Sequence, residues 1–483
     1  MYRMSHLFHP VEQQVWRRRW ARGLPVSVVV AIAVAAMSTV GVMRSQAEPA
    51  PPPDAFYDVP ETLANFSPGE IIRSRAVAVN ALQLLPIKVD AWQLLYRTTG
   101  MNGEPDAAVT TVMAPEGPAK PRPLLSYQAA TDSTLRICNP SYGLVHGAPI
   151  DFTNPSGPVL VPIGSVEISL AAAGLAQGWA VAMPDHGGVD NRFLTPRQPG
   201  FAVLDGIRAV ENFNPVGLAG TATPVSLWGY SGGAIASSWA IEQHPTYAPE
   251  LDIKGAAFGA PERDLEASLK SANGTPLGGL IPLAMASIGK DSPEFSQEIA
   301  KYLTPEGNIL LDRMRNSCAP QNILGNIGFR YQNYLTTSLD EVLANPVIGR
   351  AIEARGVSDG IPTVPAYVYN GVTDEVAPIS GTDKLVAKYC AGGAPVTYRR
   401  EAFPPNPLPQ FSSTHAVIEV TGAAGAFNWL KERMNPDSVT PTGCDIQTVP
   451  NTLAEPDALA SLGPSFGLPL QSVLAGIPLG AGR

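Results

Sequence analysis

The sequence predicts an α/β fold, a mostly parallel sheet with helices on its faces. Three observations carry this. Strand-like and helix-like runs alternate from Pro123 to His244, the rhythm of strand–helix–strand crossovers. A Gly-x-Ser-x-Gly stretch, Gly229-Tyr230-Ser231-Gly232-Gly233, falls where a strand-like run meets a helix-like one. The composition, 45% hydrophobic and 16% charged, is that of a globular protein rather than a disordered one. At 483 residues there is room for one large domain with an insertion, or for two domains.

Residues 1–47 read as a targeting segment. Arg17-Arg18-Arg19 and Arg22 precede an apolar run from Leu24 to Met43, followed by Ser45-Gln46-Ala47, a small-x-small cleavage pattern. The run is long enough to span a bilayer. The expectation is export with cleavage near Ala47, and the alternative is an uncleaved anchor. Residues 48–55 are a Pro-rich linker.

Six arginines and one acid, Glu12, precede residue 48, so the remainder is more acidic than the formal −9 of the whole chain. That balance repels phosphate backbones and argues against nucleic acid as a partner. The chain has no His-Glu-x-x-His, no Gly-rich loop ending in Lys-Ser/Thr and no Cys-x-x-Cys. No metal and no cofactor are expected. Its four cysteines, Cys138, Cys318, Cys390 and Cys444, all follow the targeting segment. An even count in an exported chain reads as two disulfides. From the residues alone, three pairings are open.

In chain order, Pro123–Gln128 is a short apolar strand. Ser165–Gly178 has helical spacing, opens on a Ser cap and stops at Gly. Trp179–Asp185 reads as a buried strand and Phe201–Phe213 as an amphipathic helix. Val225–Tyr230 is a strand running into the Ser231 motif, and Gly233–His244 is a helix stopping before Pro245. Later, Val364–Tyr369 reads as a buried strand closed by an Asn370-Gly371 turn.

Gly-x-Ser-x-Gly occurs three times, so context must choose. Ser358 has no strand before it and runs into Gly360-Ile361-Pro362, which reads as a loop. Ser465 lies in a Pro/Gly-rich tail with no helix expected after it. Ser231 alone has a strand before and a helix after. A serine held on such an elbow is strained and crowded on both sides, and Gly229, Gly232 and Gly233 make room. The helix start also offers N–H groups and a positive dipole end to a developing oxyanion. The bland alternative is a Gly-rich strand-to-helix turn.

A nucleophilic serine needs a base, and the base an acid. On this kind of sheet the chain order is Ser, acid, His. Two histidines follow Ser231. His244 ends the serine's own helix, which carries it away. His415 lies between a Pro-rich loop and a helix-like apolar segment, a place that suits a base delivered on a loop. His6 and His9 belong to the leader, His146 to a loop, and His186 reads as structural at a strand end. Asp374 follows the Val364–Tyr369 strand at its carboxyl end, where open α/β sheets hold their chemistry. Glu375 and Asp383 are the alternatives.

These residues bring the chain to a family. "GEIIRSR" (Gly69–Arg75), "LLSYQAATDSTLRICNPSY" (Leu124–Tyr142), "DHGG" (Asp185–Gly188), "LDGIRA" (Leu204–Ala209) and "GYSGGAIAS" (Gly229–Ser237) together resemble the secretory lipases of the α/β-hydrolase superfamily. The likeness runs from about Phe56 to Cys444. It implies an α/β-hydrolase fold, with residues 56–259 and 357–445 as core and a mainly helical cap at 260–356. It implies an acyl-enzyme mechanism on Ser231, His415 and Asp374, with an oxyanion hole at Gly232 and Asp132. It also implies the pairs Cys138–Cys318 and Cys390–Cys444. Within the cap, the apolar stretch Pro276–Gly289 suits an acyl wall or a lid, or ordinary packing. Residues 446–483 are expected to form a tail or flap.

The expected function is a secreted triacylglycerol lipase acting on acylglycerols, with a lipid–water interface as its working surface. A carboxylesterase for short soluble esters and an acyltransferase are enzymatic alternatives. A non-catalytic binding protein on a hydrolase fold is the alternative from another class.

Overall fold

Among the described residues, ten strands join in one mixed sheet. The computed structural model describes residues 54–146, 162–403 and 412–481. The expected leader and most of the linker lie outside the described residues, among which no helix is long and apolar enough to cross a membrane.

On one side of the sheet, β1 (Ile71–Ala76), β4 (Asp90–Thr99) and β5 (Pro105–Ala114) form an antiparallel meander. A small hairpin, β2 (Val79–Ala81) and β3 (Leu85–Ile87), interrupts it. The rest is β6 (Leu124–Gln128), β7 (Ala180–Pro184), β8 (Val225–Tyr230), β9 (Ile253–Gly259), β10 (Ala366–Gly371), β11 (Val396–Glu401) and β12 (Cys444–Val449). These strands are parallel to one another, and β5 is antiparallel to β7. The order is β1-β4-β5-β7-β6-β8-β9-β10-β11-β12. Strands β6, β7, β8 and β10 are buried at every residue. That is why they read as unbroken apolar runs.

From β6 the chain crosses to β7 on one side, then passes to β8 on the other. The β6/β8 junction is therefore a topological switch point, where the carboxyl ends leave a crevice. Crossover helices α1 (Ile163–Ala176), α2 (Gln198–Glu211) and α3 (Gly232–Tyr247) cover the sheet. Between β9 and β10, seven helices form the cap insertion: α4 (Leu265–Ser271), α5 (Leu280–Asp291), α6 (Pro293–Ala300), α7 (Pro305–Met314), α8 (Ala319–Gly325), α9 (Leu339–Leu343) and α10 (Pro346–Glu353). Five of them open on a side-chain cap, from Asp264, Ser292, Thr304, Ser338 and Asn345. Short helices need that help, since each leaves its first N–H groups unpaired. The apolar core of the insertion, which includes Leu283, Ile288, Phe295 and Met314, continues onto Ile235 and Trp239 of α3. The architecture is an α/β-hydrolase fold with a helical cap region.

Several local expectations are corrected. Helix α1 starts at Ile163, and Ser165 lies inside its first turn, donating to the Pro162 carbonyl (2.7 Å). Helix α2 starts at Gln198, ahead of Phe201, with Pro199 in its first turn, where a missing N–H costs nothing. Helix α3 does not stop before Pro245 but runs through it to Tyr247. There the proline removes a single bond near the helix end. Asn370-Gly371 is the end of β10 and not a turn. Its Asn370 amide donates to the Ala377 carbonyl and the Thr382 hydroxyl, which keeps the backbone extended. Past the cap, α11 (Ile379–Ala391) and α12 (Thr414–Arg433) precede two tail helices, α13 (Pro456–Leu462) and α14 (Leu468–Leu474), so Ser465 does have a helix after it. It still has no strand before it. The expected tail begins inside β12, which pairs with β11 as an edge strand.

Candidate active site

At the end of β8 the backbone turns sharply into α3, and Ser231 sits on the turn with φ 52° and ψ −119°. A non-glycine residue pays strain of about 1–3 kcal/mol in such a conformation. The surroundings enforce it: Ser231 N–H donates to the Gly259 carbonyl at 2.9 Å. The neighbouring glycines are steric requirements. A Cβ at Gly229 would meet the Gly233 backbone at 2.5 Å, and one at Gly233 the Gln128 carbonyl oxygen at 1.9 Å.

His415 reaches Ser231 from the far side of the chain. Its Nε2 lies 2.8 Å from Ser231 Oγ, and its Nδ1 lies 2.8 Å from Asp374 Oδ2 and 3.0 Å from Oδ1. With Nδ1–H donating to the carboxylate, Nε2 is left to accept from the serine hydroxyl. His415 stands not on a loop, as expected, but in the first turn of α12 (Thr414–Arg433). Ser413 caps that helix, accepting from Ala416 N–H at 3.1 Å, and donates its own hydroxyl to Glu375. The Tyr230 hydroxyl donates to the His415 carbonyl at 2.7 Å. Asp374 sits after β10, and its Oδ1 accepts from Val376 N–H (2.8 Å) and Ala377 N–H (2.7 Å).

All three side chains are buried, with Ser231, His415 and Asp374 exposed by 7%, 6% and 5%. Burial by itself disfavours the His415 imidazolium. The Asp374 carboxylate and its hydrogen bond, with Glu375 and Glu419 nearby, outweigh this and hold the pKa up at about 9.

Asp132 lies on the loop after β6, across the switch point from Ser231, with φ 39°. Among the described residues, its Oδ1 is buried without a hydrogen-bond partner. Burial pushes the carboxyl up to about 7, against the pull of His415. It lines a small pocket together with Gly232, Thr131, His186 and Ile235. Gly232 opens α3, and the N–H groups of a first helical turn have no partner within the helix.

The other candidates fall elsewhere. Glu375 supports the start of α12, and Asp383 pairs with Arg400 and Tyr398. His244 contacts the Leu251 carbonyl, and His186 contacts the Ala129 carbonyl at 2.7 Å. His146 faces Asp54, and Ser358 donates to Glu242. Cys138 is joined to Cys318 and Cys390 to Cys444. Among the described residues no His, Cys, Asp and Glu cluster could hold a metal ion.

Sequence reasoning alone passed over Tyr230, Glu167, Thr134 and Lys290. Tyr230 holds the His415 backbone, and Glu167 accepts from Ala130 N–H at 3.1 Å, two residues before Asp132. Asp132 itself came only with the resemblance. The one local signal was its place just after β6, at the carboxyl end of a strand.

Residues 161–441 match a family model described as secretory lipase. The chain belongs to the secretory lipase family. Its extracellular location agrees with that membership. Among relatives, a probable inactive lipase of Mycobacterium tuberculosis is 37% identical over 79% of this chain and 82% of its own. Lipase A of Arthroderma benhamiae is 32% identical over 86% of each chain. Among solved structures, Candida antarctica lipase A in its closed state superposes with a TM-score of 0.72 at 26% identity. The match covers 88% of this chain and 96% of that one. Membership of the lipase family carries a lipase/esterase function in general terms.

Proposed function

We propose that this secretory lipase is a triacylglycerol lipase working through an acyl-enzyme on Ser231. The observation that carries the reading is the unbroken relay from Ser231 Oγ to His415 Nε2 and from Nδ1 to Asp374, with 2.8 Å at each step. In this reading Ser231 Oγ attacks the ester carbonyl carbon while His415 Nε2 takes its proton. The oxyanion is met by the N–H groups of Asp132 and Gly232. His415 returns the proton to the departing alkoxide, and the glycerol hydroxyl leaves. Water then attacks the acyl-enzyme by the same route and frees the fatty acid. Asp374 keeps Nδ1 protonated and stabilises the imidazolium.

Ser231 is 7% exposed, so the substrate's ester group has to reach it through the small pocket lined by Thr131, Asp132, Leu194 and Ile235. An apolar cavity of about 60 Å³ within the cap, lined by Ile281, Pro282, Met285 and Phe329 among others, is a gap in the cap's own packing, so an acyl-chain role for the stretch Pro276–Gly289 rests on the apolar character of that stretch. Ser231 and His415 are not among its lining residues.

The test is release of fatty acid from emulsified tributyrin and triolein by the wild type and by Ser231→Ala. Loss of a triad serine costs on the order of a million-fold in kcat. Normal turnover by folded Ser231→Ala refutes the mechanism, and hydrolysis confined to short soluble esters replaces lipase by carboxylesterase. The probable inactive lipase among the relatives favours a second reading, a non-catalytic lipid-binding protein. A wild type that neither releases acid from any ester nor labels at Ser231 with a phosphonate would support it.

A further inference from the structure

The loop that carries Asp132 is fastened to the cap insertion. Two residues past Asp132, Thr134 uses its backbone and side-chain polar groups for this. Its N–H donates to the Ser317 carbonyl at 3.0 Å. Its hydroxyl donates to the Met314 carbonyl at 2.6 Å and accepts from Ser317 N–H at 3.1 Å. Its carbonyl accepts from the Lys290 ammonium at 2.7 Å. Next to it, the Ser133 hydroxyl accepts from Ala319 N–H (2.9 Å) and donates to the Thr131 carbonyl (2.5 Å). The Cys138–Cys318 bridge closes the same contact covalently. Lys290 also donates to the Asp190 carbonyl at 2.8 Å, bringing in the loop after β7.

Thr134 is fully enclosed, with 1% exposure, so these bonds have no water to replace them. They hold a loop that would not hold itself. Asp132 is a non-glycine residue with positive φ, a conformation that persists only where the surroundings over-determine it. An oxyanion donor, in turn, works only within about 2.7–3.1 Å of the developing charge.

We propose that Thr134 is a positioning residue, which aims the Asp132 N–H by pinning its loop to the cap segment Met314–Ala319. The cap is then part of the oxyanion apparatus at this edge. This rests on the ester-hydrolase reading of Ser231.

Thr134→Val keeps the side-chain volume and removes the hydroxyl, while Thr134→Ser keeps the hydroxyl. Both are assayed on p-nitrophenyl butyrate, with active sites titrated by a covalent phosphonate. The expected result is a fall in kcat per titrated site of about tenfold or more in Thr134→Val, less than the ~100-fold or greater loss on removing a donor outright. KM should change little, and Thr134→Ser should recover most of the rate. Equal kcat in wild type and Thr134→Val overturns the proposal. So does an equal loss in both variants, or a loss only in the number of titratable sites. If Thr134→Val is not recovered folded, Lys290→Met repeats the comparison from the cap side, and an unchanged kcat there overturns the proposal. Ser231→Ala, run alongside, separates two failures. Turnover there overturns the serine reading and this proposal with it. A silent Ser231→Ala beside an unaffected Thr134→Val overturns this proposal alone.

Discussion

Asp132 Oδ1 lies 1.7 Å from where a Cβ on Gly232 would stand. The two candidate oxyanion residues, from different crossovers, are packed so closely that any side chain at position 232 displaces the Asp132 carboxyl. Gly232→Ala should therefore push the Asp132 carboxyl aside and lower kcat by about 100-fold or more, the scale of a lost oxyanion donor. The fold should survive, because what must move is the end of a side chain. Gly233→Ala meets the Gln128 carbonyl oxygen, a backbone atom of β6, at 1.9 Å. It should fail to fold or melt far lower. Thermal melts of the two variants beside their kcat values check the contrast.

His415 titrates at about 9, raised by Asp374 against the opposing effect of burial. An imidazolium cannot take the serine proton, so activity should rise with pH. On a neutral soluble ester, kcat/KM of the free enzyme should climb through neutral pH and level off above about 9. Asp374→Asn removes the charge that raises the pKa. It should move the inflection downward and reduce kcat by about 10⁴-fold, mainly by admitting the wrong tautomer. A pH profile that is flat from 6 to 10 would contradict this.

Arg263 and Glu242 form a buried ion pair at 3.2 Å, their side chains exposed by 0% and 1%. Arg263 also donates to the Gly356 carbonyl at 3.0 Å, tying together the two ends of the cap insertion. Arg263→Ala leaves a buried carboxylate unpaired and should cost about 3–5 kcal/mol of stability. Denaturant unfolding measures it, and a loss under 1 kcal/mol would show that water replaces the guanidinium.

Met285 stands half-buried on the wall of the apolar cap cavity, while Ile281 belongs to the cap core itself. A carboxylate at Ile281 would damage folding and substrate binding together. Met285→Asp is the cleaner probe. Each methylene that loses its apolar site forfeits about 0.8 kcal/mol, so turnover of an oleate ester should fall far more than that of an acetate ester. An equal fall in both rates would assign Met285 to packing alone.

The alternation of strands and helices around Ser231 was legible because β6, β7 and β8 are buried on both faces and must be apolar throughout. Gly229, Gly232 and Gly233 were legible because a turn this tight excludes side chains whatever surrounds it. Helix ends were read less well. Pro245 and Ser165 have local preferences that α3 and α1 override through packing on the sheet. Asp374 and His415 stood out by chain order, although the helical setting of His415 did not.

By itself, then, the sequence determined the alternation of strands and helices around Ser231, the elbow and the residue types of the relay. Those are properties of local backbone sterics and of apolar periodicity, which act over a few neighbouring residues. The tertiary structure alone decided that Thr134 meets Ser317 across 183 positions, that Lys290 reaches the loop of Asp132, and that Tyr230 holds the backbone of His415. Such contacts are hydrogen bonds between segments remote in the chain. Their worth comes from burial away from water, and burial exists only once the sheet and the cap have closed over them.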